Sequence, residues 1–351
     1  MMGRALRLGA ASVCVALVVS ISTIGTTTGA ATSAPTLRRL AQKHHLEVGT
    51  AMGTSQFDTD PEYLAAAGRD YSSVTPENAM KWDAVHPERN RYDFTGGDKI
   101  VAFAQAHHMM VRGHTLVWHS QNPQWLTNGA FTRDELIQIL HDHIATVVGH
   151  YRGRVKQWDV VNEVIADDGL GLRDNLWLRG IGPDYIAVAF RFAHEADPGA
   201  RLYLNDYLTE TVNPKSDLAL ALAALLRALG VPINGIGIQM HRIEIVPESS
   251  ADIEANLARI SAAGFQVWIT ELDVAILLPV DVAKLANQAV IYGDVVRACR
   301  NTRRCRGITT WGFTDRYSWI PGFLPGFGAA LPFDESLQPK LAYHAMVAAL
   351  A

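Results

Sequence analysis

The stretch "KQWDVVNEV", residues 156–164, is apolar and β-branched at its centre and then sets Asn162 beside Glu163. Val160 and Val161 favour a strand. A buried strand that ends on a carboxylate needs a reason, because an ion taken from water without partners is strongly disfavoured. The pattern returns at "FQVWITELDV", 265–274, which runs into Glu271 and Asp273. Further apolar or β-branched runs lie at 46–51, 72–75, 110–117, 200–204, 235–240 and 306–311, which makes eight strand candidates. Helical stretches separate them. In "FTRDELIQILHDHIATVVGHY" the apolar residues Leu136, Ile139, Leu140, Ile144 and Val147 follow the helical period, and Thr132 and Glu135 have capping-box spacing. "PKSDLALALAALLRALG" is apolar almost throughout and is expected to pack deeply. Eight strands alternating with helices predict an α/β protein, a single (β/α)8 TIM barrel, rather than an open sheet. A doubly wound sheet would carry a Gly-rich nucleotide loop, and "GLGLRDN" at 169–175 has neither the spacing nor the context.

The chain has 351 residues, 48% hydrophobic and 19% charged, enough for one large core. Arg4 and Arg7 precede the uncharged run "LGAASVCVALVVSISTIG" and the small-residue region "TTTGAATSA". That order reads as a secretory signal peptide over 1–31, leaving 32–351 as the barrel domain. The other reading is an uncleaved segment that anchors the protein at the cell surface. Removing 1–31 takes away two arginines and moves the net charge from −4 to −6. A mildly acidic exported chain without a basic stripe is a poor nucleic-acid binder and has no membrane partner after cleavage. Cys299 and Cys305, six apart, could close a short disulfide loop in an oxidising compartment, or stand as free or metal-binding thiols. No second cysteine pair accompanies them, so a structural zinc site is not expected.

In a barrel of this kind, function sits at the carboxyl ends of the strands. There the sequence is unusually polar and aromatic. The second strand runs into Glu77, Asn78, Lys81 and Trp82, and the third into His114, Trp118, His119 and Gln121. Later strand ends bring Asn162 and Glu163, "NDY" at 205–207, Gln239 and His241, Glu271 and Asp273, and "WGFTDRYSW" at 311–319. Any one of these could be a satisfied core residue. Their convergence on one face argues for a cleft. His141 and His143 are too close in sequence to share a helix face, and no phosphate cradle or G-x-S-x-G elbow occurs, so neither a metal nor a cofactor is expected. Aromatic rings with Asn, Gln, Lys and His suit sugar rings. A pair of carboxylates beside them suits glycoside hydrolysis, in which one acid protonates the leaving oxygen and one carboxylate attacks or activates water.

The blocks "TPENAMKW", "GHTLVWHSQ", "WDVVNE", "NDY", "QMH", "ITELDV" and "WGFTDRYSW" occur in the order found in glycoside hydrolase family 10, the endo-1,4-β-xylanases. The chain resembles that family from about residue 40 to 350. The resemblance implies an eight-stranded barrel and a secreted retaining enzyme with Glu163 as acid/base and Glu271 as nucleophile. It makes His241 and Asp273 the support of Glu271, and gives Asn162 a contact with the 2-hydroxyl of the reacting sugar. Lys81, His114, Trp118, Gln239, Trp311 and Trp319 match residues of the glycone sugar sites, and Glu77, Asn78 and Gln121 match outer donors and acceptors. Cys299 and Cys305 match a disulfide of bacterial members. No matched residue defines the aglycone side. The expected partner is xylan or a xylo-oligosaccharide, bound by a monomer. Two other readings remain open: the same chemistry on β-1,4-glucosides or aryl glycosides, which turns on room for a hydroxymethyl group near Lys81, Trp311 and Trp319, and a non-catalytic sugar-binding wall protein.

Overall fold

Eight parallel strands pair in chain order and close on themselves: β1 (Glu47–Met52), β2 (Ser73–Pro76), β3 (Met110–Gly113), β4 (Val155–Asn162), β5 (Arg201–Asp206), β6 (Gly235–Ile238), β7 (Gln266–Leu277) and β8 (Cys305–Thr310). The closing seam is β8 against β1, with Gly307 opposite Glu47, while β7 pairs β8 on its other side. This computed structural model describes residues 35–244 and 249–351. The expected secretory segment at 1–31 lies outside the described residues. Among those residues no helix is long and apolar enough to cross a membrane.

The helices form the outer layer. Arg133–His150 starts at the predicted capping box: the Thr132 hydroxyl takes the Glu135 N–H, and the Glu135 carboxylate takes the Thr132 N–H. Its apolar stripe, Leu136 to Val148, is buried against the barrel, whereas His141 faces outward. Each such Leu, Ile or Val removed from water contributes about 1.5–3 kcal/mol, and this face rather than propensity fixes the helix. The expectation of deep packing for "PKSDLALALAALLRALG" is corrected. Pro214–Ala228 buries only one side, with Ala219, Ala223 and Leu226, and leaves Leu225 more than half exposed. Its Ala and Leu content serves helix propensity on an outward face.

Two strands differ from the expected bounds. β3 stops at Gly113 instead of continuing to 117. At Gly113 a Cβ would stand 2.2 Å from the Trp158 ring, so only glycine lets the indole of β4 cover the ladder there. The chain meets β4 again further on, where Leu116 N–H reaches Asp159 O and Val117 bridges Val161. β7 is longer than expected. Beyond Thr270 it continues as an arm that pairs with His241–Ile243 on one side and Phe327–Gly328 on the other.

Inside the barrel, Arg112 and Asp159 form a buried ion pair, each about 1% exposed. The guanidinium lies over the Tyr203 ring, and the second carboxylate oxygen also meets His114 Nδ1 at 3.0 Å. Burial alone would raise the Asp159 carboxyl; Arg112 and His114 outweigh it and hold it below its ordinary range. Breaking the pair strands a buried charge. Arg112→Met should therefore lose about 3–5 kcal/mol of stability, read by urea unfolding at neutral pH. A loss below about 1 kcal/mol would mean that solvent reaches Asp159.

Candidate active site

The strand ends surround a cleft of about 670 Å³. Both opening carboxylates line it: Glu163 directly after β4, and Glu271 within β7. A chain of four hydrogen bonds joins them. Gln239 Nε2 donates to Glu163 Oε1 (3.1 Å) and to Asn162 Oδ1 (3.2 Å), and Asn205 Nδ2 donates to Asn162 Oδ1 (2.8 Å) and to Glu271 Oε1 (2.7 Å). With the Asn162 oxygen taken twice, its amide donor is left toward Glu163 (3.3 Å) and the cleft.

Strand irregularity brings these side chains together. Asp159 and Asn162 are three apart, a spacing that strict alternation places on opposite faces. The register between β4 and β5 shifts between Asp159 and Val161, a one-residue bulge that turns both inward. A similar shift in β7 between Ile269 and Leu272 lets Thr270 and the adjacent Glu271 both meet Asn205.

Glu271 is 5% exposed and sits against His241. Nε2 of His241 lies 3.3 Å from Glu271 and Nδ1 lies 3.0 Å from Asp273, so one imidazolium can donate to both carboxylates. Burial would lower the His241 pKa, but the two carboxylates, Asp273 first, raise it well above the ordinary value. Burial would raise Glu271; the His241 hydrogen bond, with favourable electrostatics from His114 and His241, outweighs it and keeps the carboxyl below its ordinary range. Asp273, two residues beyond Glu271 in an extended segment, points to the same side and so meets the other nitrogen of the same imidazole. Asp273 also accepts Trp319 Nε1–H at 2.8 Å, which fixes that indole beside His241.

The other sequence-derived candidates line the same cleft. Lys81 is 7% exposed, donates to Asn78 (2.9 Å) and Gln121 (2.8 Å), and lies 4.9 Å from the Trp118 ring centre. Burial lowers its pKa, with Glu271 and Glu77 pulling the other way. Glu77 is raised, chiefly by burial. Trp311 stands edge-on to His114 at 5.1 Å. Asp273 is set back from the cleft, behind His241, and Trp82, offered with the second strand end, is a core residue stacked on His143. Four further lining residues had no role from the sequence: His119, Ser120, Tyr207 and Phe323. His119 Nδ1 stands 3.6 Å from Glu163, and burial lowers its pKa. Its place inside "GHTLVWHSQ" and that of Tyr207 inside "NDY" were signals; Phe323 had none. Asn205 was legible in the same motif, but not its role as the link between Asn162 and Glu271.

Cys299 and Cys305 form a disulfide, with Cα atoms 5.3 Å apart, that ties the helix Val282–Asn301 to the start of β8. Among the described residues no three His, Cys, Asp or Glu side chains are grouped to hold a metal ion.

Two carboxylates at the mouth of a closed parallel barrel, between indoles and amides, define a glycoside hydrolase. The sequence profile of glycosyl hydrolase family 10 matches residues 36–349. The chain belongs to glycosyl hydrolase family 10. It is 46% identical over 313 residues to endo-1,4-beta-xylanase B of Thermotoga neapolitana, covering 88% of this chain and 90% of that one. With an endo-1,4-beta-xylanase of Agaricus bisporus it shares 42% identity over 85% of this chain and 89% of the relative. The crystal structure of xylanase 10B from Thermotoga petrophila in complex with xylobiose superposes with a TM-score of 0.88 at 44% identity, covering 90% of this chain and 97% of that one.

Proposed function

We propose that this enzyme is a secreted endo-1,4-β-xylanase that cleaves internal linkages of xylan by double displacement, with Glu271 as nucleophile and Glu163 as acid/base. The observation that carries the reading is His241 lodged between Glu271 and Asp273 in a cleft that Glu163 also lines. A nucleophile has to be ionised, and Glu271 is held so. Its oxygen attacks the anomeric carbon while the bond to the leaving oxygen breaks and Glu163 delivers its proton there. Glu163, now a carboxylate, takes a proton from water; the resulting hydroxyl attacks the anomeric carbon and Glu271 departs. Two inversions leave the configuration unchanged. The Asn162 amide fits the 2-hydroxyl, a contact that strengthens as positive charge develops at the sugar.

Xylan as substrate is supported by the relatives' names, and Lys81, Trp311 and Trp319 line the part of the cleft where a glucose hydroxymethyl group would need room. One missing methylene-sized group gives only about 10–200-fold discrimination, so measurable activity on aryl cellobiosides is expected. The test is reducing-sugar release from β-1,4-xylan and from β-1,4-glucan by the wild-type protein. Strong release from xylan is expected. Equal or greater release from glucan would make it a glucanase, and none from either would favour the non-catalytic reading. Export is supported by the disulfide, a bond that persists in oxidising compartments.

The nucleophile assignment carries a pH prediction. His241→Gln removes the imidazolium charge beside Glu271, so the carboxyl rises from its lowered position. A base form that is lost at higher pH moves the acid limb of the kcat/KM profile upward. The variant should therefore lose most at low pH and recover toward neutrality. An acid limb that stays in place or moves down would refute the role of His241.

A further inference from the structure

Glu163 leaves β4 with φ at +55°, in the left-handed region that disfavours a non-glycine side chain. Something must hold it there. Its N–H is held by Asn205 O at 2.8 Å, from β5. Its carbonyl accepts Nε of Arg173 at 2.9 Å. The Arg173 backbone N–H donates to Val164 O at 2.7 Å, and Nη2 donates to Ile165 O at 3.2 Å. One residue thus engages three consecutive carbonyls of the segment that begins at Glu163.

Arg173 is itself fixed. Its guanidinium pairs with Asp167 and donates to the Tyr207 hydroxyl at 2.8 Å, while that hydroxyl donates on to Asp167. The side chain is 17% exposed and does not line the cleft. At the far end of the segment, Ile165 N–H donates to Asp206, which is paired with buried Lys215 at 2.9 Å. The planar fork of arginine suits two carbonyls two residues apart; the single ammonium of lysine does not reproduce it.

We propose that Arg173 is a positioning residue for the catalytic acid: it holds the Glu163 segment in the conformation from which the carboxyl delivers its proton to the leaving oxygen. This rests on the reading of Glu163 as acid/base. A merely structural clamp would affect all substrates alike when removed. A positioning residue for the acid has a different signature. A 2,4-dinitrophenolate departs without a proton, so kcat/KM for that aryl xylobioside does not depend on where the acid stands. Phenolate departs far more readily as phenol and does depend on it.

The experiment measures kcat/KM on 2,4-dinitrophenyl and phenyl β-xylobiosides for wild type, Arg173→Met, Arg173→Lys and Glu163→Ala, with thermal melts for each. For Arg173→Met we expect values within about 3-fold of wild type on the dinitrophenyl substrate and a fall of about 30- to 100-fold on the phenyl one, the scale of a misplaced catalytic group. Arg173→Lys keeps the charge beside Asp167 but loses the fork, and is expected to show the same selectivity in weaker form. Should Arg173→Met not fold, Arg173→Lys decides. Equal losses on both substrates, or none on either, would overturn the proposal. Glu163→Ala separates the two claims: if it too lacks leaving-group selectivity, the acid assignment fails; if it has it and the Arg173 variants do not, only the positioning role fails.

Discussion

Glu271→Ala is expected to lower turnover of xylan by about 10^5-fold or more, since the covalent route disappears rather than slows. The two carboxylates nearest in the hydrogen-bond network are not placed to substitute. Asp273 is set behind His241, and Glu163 is tied to Asn162 and Gln239. The truncation also leaves a small cavity beside His241 where the carboxylate stood. Added azide should enter it, attack the anomeric carbon of an aryl xylobioside from that side, and release the phenol. One displacement inverts, so the product is the α-xylobiosyl azide. Product configuration by NMR checks both points. Unchanged turnover, or a β-azide, would move the nucleophile elsewhere.

The second large effect falls on Glu163. On the proposed mechanism Glu163→Ala removes the proton donor and, later, the base, and should reduce kcat/KM on phenyl xylobioside and on xylan by about 10^2–10^4-fold. Substrates with good leaving groups should still form the glycosyl-enzyme and then stall. Azide needs no base, so it should discharge that intermediate. Two displacements then give the β-xylobiosyl azide, the opposite configuration from the Glu271 variant. The contrast assigns each carboxylate independently. An α-azide from Glu163→Ala would exchange the roles.

Much of the fold is legible in the sequence. The alternation of β-branched runs with a capped amphipathic helix was enough for the barrel, because strand and helix periods are local properties. The carboxylates were conspicuous for the same kind of reason: a charged residue that ends an apolar run is a local anomaly. The deep packing expected for 214–228 failed, because alanine and leucine serve helix propensity as well as burial and the sequence does not separate the two. β3 ends at Gly113, short of the apolar run 110–117, at the point where the ring of Trp158, 45 residues away, covers the backbone. Arg173 lies in "GLGLRDN", a stretch notable in the sequence only for what it is not; its partners, from Glu163 to Tyr207, meet only in the fold.

The sequence by itself determined the kinds of element and their order, and it singled out the carboxylates proposed to react, since these depend on local periodicity and on which side chains can hold or release a proton. Only the tertiary structure decided how those groups face one another. The bulges in β4 and β7 set which residues turn inward, and a bulge is a mismatch between strands far apart in the chain. The ionisation of Glu271 likewise depends on His241 and on burial, both supplied through space. Register and electrostatics are pairwise quantities, and the pairs exist only once the barrel has closed.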